Sequence, residues 1–222
     1  MKKLIILFMS VFLVSCSSPV ENKEEIVEEE IKTLPLKEIV DSPLMSESPL
    51  SPLNIDEYLF LDDVVYIDTR SPQQYVEEGH IAGFTNIPFY EAIAHYADSP
   101  YALFKMVKVK DENGKVTAQL GDVGSYIPLY EESEELLYET FPRNKQIVFI
   151  ATAGVESCYL INLLKQYGYD PALLYNAGSF SNSLGPNIAY KEYENAKYMV
   201  KPIAPYQLTW NIKWGELTPI EE

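Results

Sequence analysis

Two cysteines, two histidines and two tryptophans in 222 residues remove several kinds of chemistry at the outset. With His80 and His95 as the whole histidine complement, no Cys/His cluster has metal-ligand spacing, and no metal site is expected. No P-loop and no dinucleotide fingerprint occurs, so no cofactor is expected. Basic residues are few: 17 Lys and Arg face 33 Asp and Glu, for a formal charge of −16. Such a chain repels phosphates and anionic headgroups, which excludes nucleic acid as a partner. The carboxylates spread along the chain as a solvated surface, and none pairs recognisably as acid and base. Internal repeats are absent. Long apolar runs are absent too, save one over residues 4–13, which is shorter than the roughly 20 residues a spanning helix needs.

That run follows Lys2-Lys3 and precedes Val14-Ser15-Cys16, the layout of an export signal. Leu13-Val14-Ser15-Cys16 resembles a bacterial lipobox. The resemblance implies removal of residues 1–15, acylation of Cys16 and lipid anchoring to a membrane of the cell envelope, with the domain outside the cytoplasm. The alternative is an ordinary cleaved signal with a chance cysteine. Acyl chains contribute about 0.8 kcal/mol per buried CH₂, so a multiply acylated Cys16 would hold the protein at a membrane surface. Loss of Lys2 and Lys3 leaves 15 basic residues against 33 acidic ones, a mature charge of −18. Cys158 is then a lone thiol, and no internal disulfide is possible.

Residues 16–52 combine a Glu-dense stretch with several Ser-Pro steps, a composition that disfavours a compact core and predicts a tether. A short helix over residues 24–31 is compatible with it. Ordered patterning starts near Leu53. Val64-Val65-Tyr66-Ile67 and Ile147-Val148-Phe149-Ile150 are short continuous β-rich runs, as in strands buried on both faces of a parallel sheet. Ser71-Pro72 is a normal helix opening. The small-residue turn Ala151-Thr152-Ala153-Gly154 leads into a helical pattern of Leu160, Ile161, Leu164 and Tyr167, which Gly168 is placed to stop. Leu173-Leu174-Tyr175 predicts a third strand, so strands alternate with helices in an α/β domain. An insert over about residues 89–128 carries a hairpin signal, residues 105–110 and 115–119 around Asp111-Glu112-Asn113-Gly114. Residues 131–140 predict an acidic helix. In the C-terminal arm, residues 186–222, Tyr206, Leu208, Trp210, Ile212 and Trp214 alternate with polar residues along one extended face. That face is either a strap over the domain edge or a partner platform.

Ile67-Asp68-Thr69-Arg70-Ser71-Pro72-Gln73-Gln74-Tyr75, followed by Gly79-His80-Ile81-Ala82-Gly83-Phe84-Thr85-Asn86-Ile87-Pro88, resembles the opening signature of rhodanese-like domains. The resemblance covers about residues 53–185. It implies a central, mostly parallel sheet with helices on both faces, and an active-site loop joining a strand to the next helix. In active members that loop is C-x-x-G-x-R/K-S. Here it is Ala151-Thr152-Ala153-Gly154-Val155-Glu156-Ser157, with Gly154 and Ser157 in place. Ala151 stands at the position of the nucleophilic cysteine and Glu156 at that of the basic residue.

Both departures point the same way. Sulfur transfer needs a thiolate that accepts sulfane sulfur as a persulfide, and a methyl group does not. A carboxylate at Glu156 competes for loop amides that otherwise favour anions at a helix N-terminus. The sulfurtransferase site is therefore expected to be inactive, with a small polar ligand or an envelope protein as partner of the surviving cradle. The alternative is a sulfurtransferase using Cys158, which otherwise reads as a small helix residue. Asp68 and Arg70 are expected to support the loop as an ion pair, weakened if the glutamate replaced by Gln74 was Arg70's partner. His80 is expected to hydrogen-bond backbone at a turn. Asn176-Ala177-Gly178-Ser179-Phe180 resembles the family's Gly-Gly turn, with Ser179 in place of the second glycine.

Overall fold

The computed structural model describes residues 32–183, 187–201 and 212–221. Along the chain run β1 (Val64–Asp68), α1 (Pro72–Glu77), β2 (His80–Ile81), β3 (Thr85–Asn86), β4 (Ala94–His95) and β5 (Phe104–Met106). Then follow β6 (Val109–Lys110), β7 (Val116–Ala118), β8 (Tyr126–Pro128), α2 (Ser133–Thr140), β9 (Gln146–Ala151), α3 (Val155–Gln166), β10 (Leu174–Ser179) and β11 (Met199–Val200). The central sheet is parallel, in the order β10-β9-β1-β3. A strand buried on both faces needs apolar residues at every position, and β9 shows why: Ile147 and Phe149 point to one core, Val148 and Ile150 to the other.

The first core is closed by α3 (Leu160, Ile161, Leu163, Leu164), by Leu137 of α2, and by the insert through Phe104, Met106 and Tyr126. The second is closed by short 3-10 turns and extended chain. Leu50 and Ile55 come from before β1, and Phe180 and Tyr190 from after β10. The helix starts and stops follow the expected chemistry. Ser71 caps α1 in a capping box with Gln74, and Pro72 occupies the first helical position. Gly168, at φ +79°, ends α3 in a Schellman motif, with Tyr169 N–H on Leu164 C=O and Gly168 N–H on Lys165 C=O.

The hairpin through Asn113-Gly114 is present as β6–β7, but Lys105 lies outside it, in β5 of a separate sheet ordered β4-β5-β8. The Asn176–Phe180 segment is not a free turn. It is the end of β10, where the register against β9 shifts between Asn176 and Ser179 and Gly178 takes φ +88°.

Residues 34–52, which composition assigns to a tether, pack on the domain. From Leu34 onward the chain is a strap on the domain, because scattered apolar residues among the prolines find places in the second core: Leu34 and Leu50 are buried. The ammonium of Lys37 reaches the carbonyls of Pro171 and Leu174, and burial pushes it down to about 8. Most of the C-terminal aromatic face (Tyr206, Leu208, Trp210) lies outside the described residues. Trp214 is described, and its ring sits 6.1 Å from those of Tyr101 and Tyr130. No helix among the described residues is long and apolar enough to cross a membrane.

Candidate functional site

β9 delivers Ala151 to the C-terminal edge of the sheet, fully buried. By the two-residue alternation it shares the face of Ile147 and Phe149, the face that α3 covers. The chain then turns through Thr152 and Ala153 to Gly154, whose φ of +81° opens α3 as a cap without a side chain. The turn is held from outside. Phe180 N–H donates to Ala151 C=O (2.8 Å), and the Ser179 hydroxyl (2.7 Å) and Asn182 N–H (3.0 Å) donate to Thr152 C=O. The Thr152 hydroxyl donates to Gln74 Oε1 (3.2 Å).

Gln74 therefore serves the loop and its own capping box rather than Arg70. Arg70 is fully buried and bonds Asp68 through Nη2 (2.6 Å) and Nε (3.0 Å). It also donates to Gly79 C=O (2.8 Å), approaches Glu78 at 3.6 Å and lies 3.5 Å over the Phe180 ring. Asp68 and Arg70 form the expected ion pair, and Glu78, which the motif did not single out, supplies the second carboxylate. His80 lies in β2, paired with β11, with its ring stacked 3.9 Å from Tyr75. Burial pushes its imidazole below the ordinary range, partly offset by the Tyr75 backbone.

The loop itself is acidic. Glu156 has Oε2 sealed from solvent with no hydrogen-bond partner among the described residues. Burial pushes its carboxyl up, its own amide and the Thr152 hydroxyl pull it down, and Asp68 and Glu91 raise it further. Beside it, Ser157 is fully buried and its hydroxyl also lacks a partner. The Cys158 thiol donates to Pro43 C=O (3.1 Å) and receives Asn176 Nδ2 (3.3 Å), and burial pushes it up. Burial favours the thiol, and the Met45 backbone and Asn176, hydrogen-bonded to the sulfur, offset it in part.

A sequence motif had no means to show what lies over the loop. Met45 Sδ lies 3.0 Å from where a Cβ would stand on Gly154, and 3.0 Å from the same point on Gly178. The strap therefore seats its thioether in the space of two missing side chains. Tyr90 and Glu91, at the start of the insert, share the electrostatic surroundings of the loop: burial drives the Tyr90 hydroxyl up to about 12, and Glu156 and Glu91 both oppose its ionisation further. Among the described residues no group of three or more His, Cys, Asp or Glu side chains is placed to hold a metal ion.

The buried carboxylate has a measurable consequence. An unfolded glutamate titrates near 4.5, and the folded Glu156 titrates higher, so the fold prefers the neutral form. Its contribution is most favourable below 4.5 and is lost as the pH rises through the folded value. At pH 7 Glu156→Gln should therefore stabilise the protein by about 1 kcal/mol, the low end for an unsatisfied buried group. The gain should read as about 2–4 °C in thermal midpoint and vanish near pH 4. Equal melting of parent and variant at pH 7 would remove this account of Glu156.

The rhodanese-like domain family model matches residues 54–182, more than half of the chain, and the protein belongs to that family. Among solved structures, one of an EanB variant with ergothioneine is 14% identical with a TM-score of 0.37, covering 67% of this chain and 30% of that one. Another, of an EanB variant with hercynine, is 16% identical with a TM-score of 0.33, covering 55% and 26% respectively. The chain thus spans about a third or less of the length of these structures. No curated protein matches it in sequence.

Proposed function

We propose that the protein is a rhodanese-like domain without sulfurtransferase chemistry, lipid-anchored through Cys16, that serves as a binding or interaction module in the cell envelope. The observation that carries this is the loop: a buried methyl at Ala151 faces α3, and a carboxylate at Glu156 occupies the position of a cation. A thiosulfate anion meets neither a nucleophile nor a positive charge there. The competing reading, sulfur transfer through Cys158, is disfavoured by the burial that raises that thiol and by its S–H bond to the Pro43 carbonyl.

Thiosulfate:cyanide sulfurtransferase assay of the parent should show no turnover. Turnover abolished by Cys158→Ser would overturn the proposal. The double variant Ala151→Cys/Glu156→Arg, which restores both the nucleophile and the charge, should gain activity over Ala151→Cys alone. The anchor predicts palmitate incorporation in cells that Cys16→Ser abolishes; labelling unchanged by that variant would exclude the site.

A further inference from the structure

The charge at the loop is inverted relative to an anion site, and the surrounding residues extend the inversion. Tyr90 lies close enough to Glu156, Tyr159, Tyr96 and Glu91 that each opposes its ionisation. The charged side chains that act on Glu156, Asp68 and Glu91, are both acidic. The buried guanidinium of this region, Arg70, is fully engaged by Asp68, Glu78 and the Gly79 carbonyl. Aromatic surface adjoins the carboxylates. The Tyr90 and Tyr96 rings meet edge-on at 6.2 Å, and Tyr159 contacts Phe89, the residue before Tyr90, at 6.1 Å. Exposure grades across the group, with Glu91 and Tyr96 open to solvent, Tyr90 and Glu156 partly covered and Ser157 fully buried.

An independent observation lies at the buried end. Among the described residues Ser157 Oγ is without a hydrogen-bond partner although fully enclosed, and Oε2 of Glu156, the preceding residue, is in the same condition. Unpaired buried polar atoms are costly and uncommon in folded proteins. Ser157 lies in the first turn of α3, directly after the loop, and is fully buried. The two unsatisfied oxygens therefore adjoin the loop rather than the distant core. Glu156 Oε2, as part of a carboxylate, accepts only, and a hydroxyl accepts as readily as it donates. A donor carrying positive charge satisfies either acceptor, and aromatic faces beside carboxylates suit the same kind of group.

We propose that the Ala151–Ser157 loop, with Glu91, Tyr90 and Tyr96 at its rim, is a binding site for a primary ammonium group, such as a lysine side chain or an alkylamine. The inference rests on the binding-module reading and names the chemistry of its ligand. Glu156 and Ser157 receive the N–H donors, Glu91 adds charge at the entrance, and the tyrosine rings cover the adjoining methylene groups. Selection would run against anions, the reverse of what a helix N-terminus with a basic side chain prefers.

The test titrates the full-length protein in detergent with n-butylammonium chloride by calorimetry, beside sodium sulfate and tetramethylammonium chloride. Saturable butylammonium binding is expected. It should weaken about tenfold or more in Glu156→Gln, since hydrogen bonds to charged groups are among the stronger ones. Glu91→Gln, at the exposed rim, should weaken it by less. Tetramethylammonium, which has no N–H, should bind more weakly than butylammonium, and sulfate should not bind. The proposal is overturned by the absence of butylammonium binding, by undiminished affinity in Glu156→Gln, by equal affinity for tetramethylammonium, or by sulfate binding. A failed titration removes the ammonium site but leaves the module reading in place; that reading falls only if the parent turns over thiosulfate.

Discussion

Arg70→Ala should lower the stability of the protein by about 3–5 kcal/mol, the cost of breaking a buried ion pair from one side. Arg70 and Asp68 are both fully buried and joined by two guanidinium nitrogens at 2.6 and 3.0 Å. Removing the cation leaves Asp68 charged in the interior, leaves the Gly79 carbonyl without its donor and uncovers Phe180. Domains of this kind are stable by about 5–15 kcal/mol in total, so the variant should lose a large part of its stability. The double variant Asp68→Asn/Arg70→Met should lose less than Arg70→Ala alone, because no unpaired charge remains. Urea unfolding of the three proteins measures both statements. A loss under about 1 kcal/mol in Arg70→Ala, the range of an exposed pair, would show that the guanidinium is not the internal tie described here.

Much of this was legible in the sequence because it depends on contiguous patterns. The runs ending in Ile67 and Ile150 are strands of the central sheet, as four apolar residues in succession, short and rich in β-branched side chains, predict. Ser71-Pro72 and Gly168 mark helix ends through local backbone chemistry, which tertiary context did not override. The loop and its two departures, Ala151 and Glu156, were visible for the same reason.

What the sequence did not show is contact between distant segments. Nothing in the composition of residues 32–52 separates a solvated tether from a strap, because the strap uses isolated residues: Leu34 and Leu50 in a core, Pro43 through its carbonyl, Met45 through its thioether. Polar, proline-rich chain contributes through backbone acceptors and single apolar anchors, which have no period to detect. Glu78 and Gln74 exchange the roles a linear motif would give them, since Gln74 turns toward Thr152 while Glu78 takes the far side of Arg70. Glu91 acts on Glu156 because the chain after β3 passes α3, where Phe89 meets Tyr159.

The strap also sets the second large effect. Gly178→Ala should cost about 2–4 kcal/mol and release the strap while leaving the sheet folded. Two costs combine. Gly178 holds φ at +88°, where an L-residue is strained by roughly 1–2 kcal/mol. Its new Cβ would stand 3.0 Å from both Met45 Sδ and Pro52 Cδ, tighter than ordinary packing. The methionine has rotamers to move into, but the proline ring has none, so the strap must shift near Pro52. Leu50, two residues away and fully buried, loses part of a burial worth about 1.5–3 kcal/mol. Because Pro43 and Met45 hold Cys158, Asn176 and Gly154 from the same strap, the shift also loosens the loop. Limited proteolysis should therefore cut within residues 36–49 faster in the variant than in the parent, while the domain core stays resistant. Adding Met45→Ala to Gly178→Ala should recover part of the loss by relieving one of the two contacts. Unchanged proteolysis of the strap, or a double variant less stable than the sum of the singles, would show that Met45 and Gly178 are not packed against each other as described.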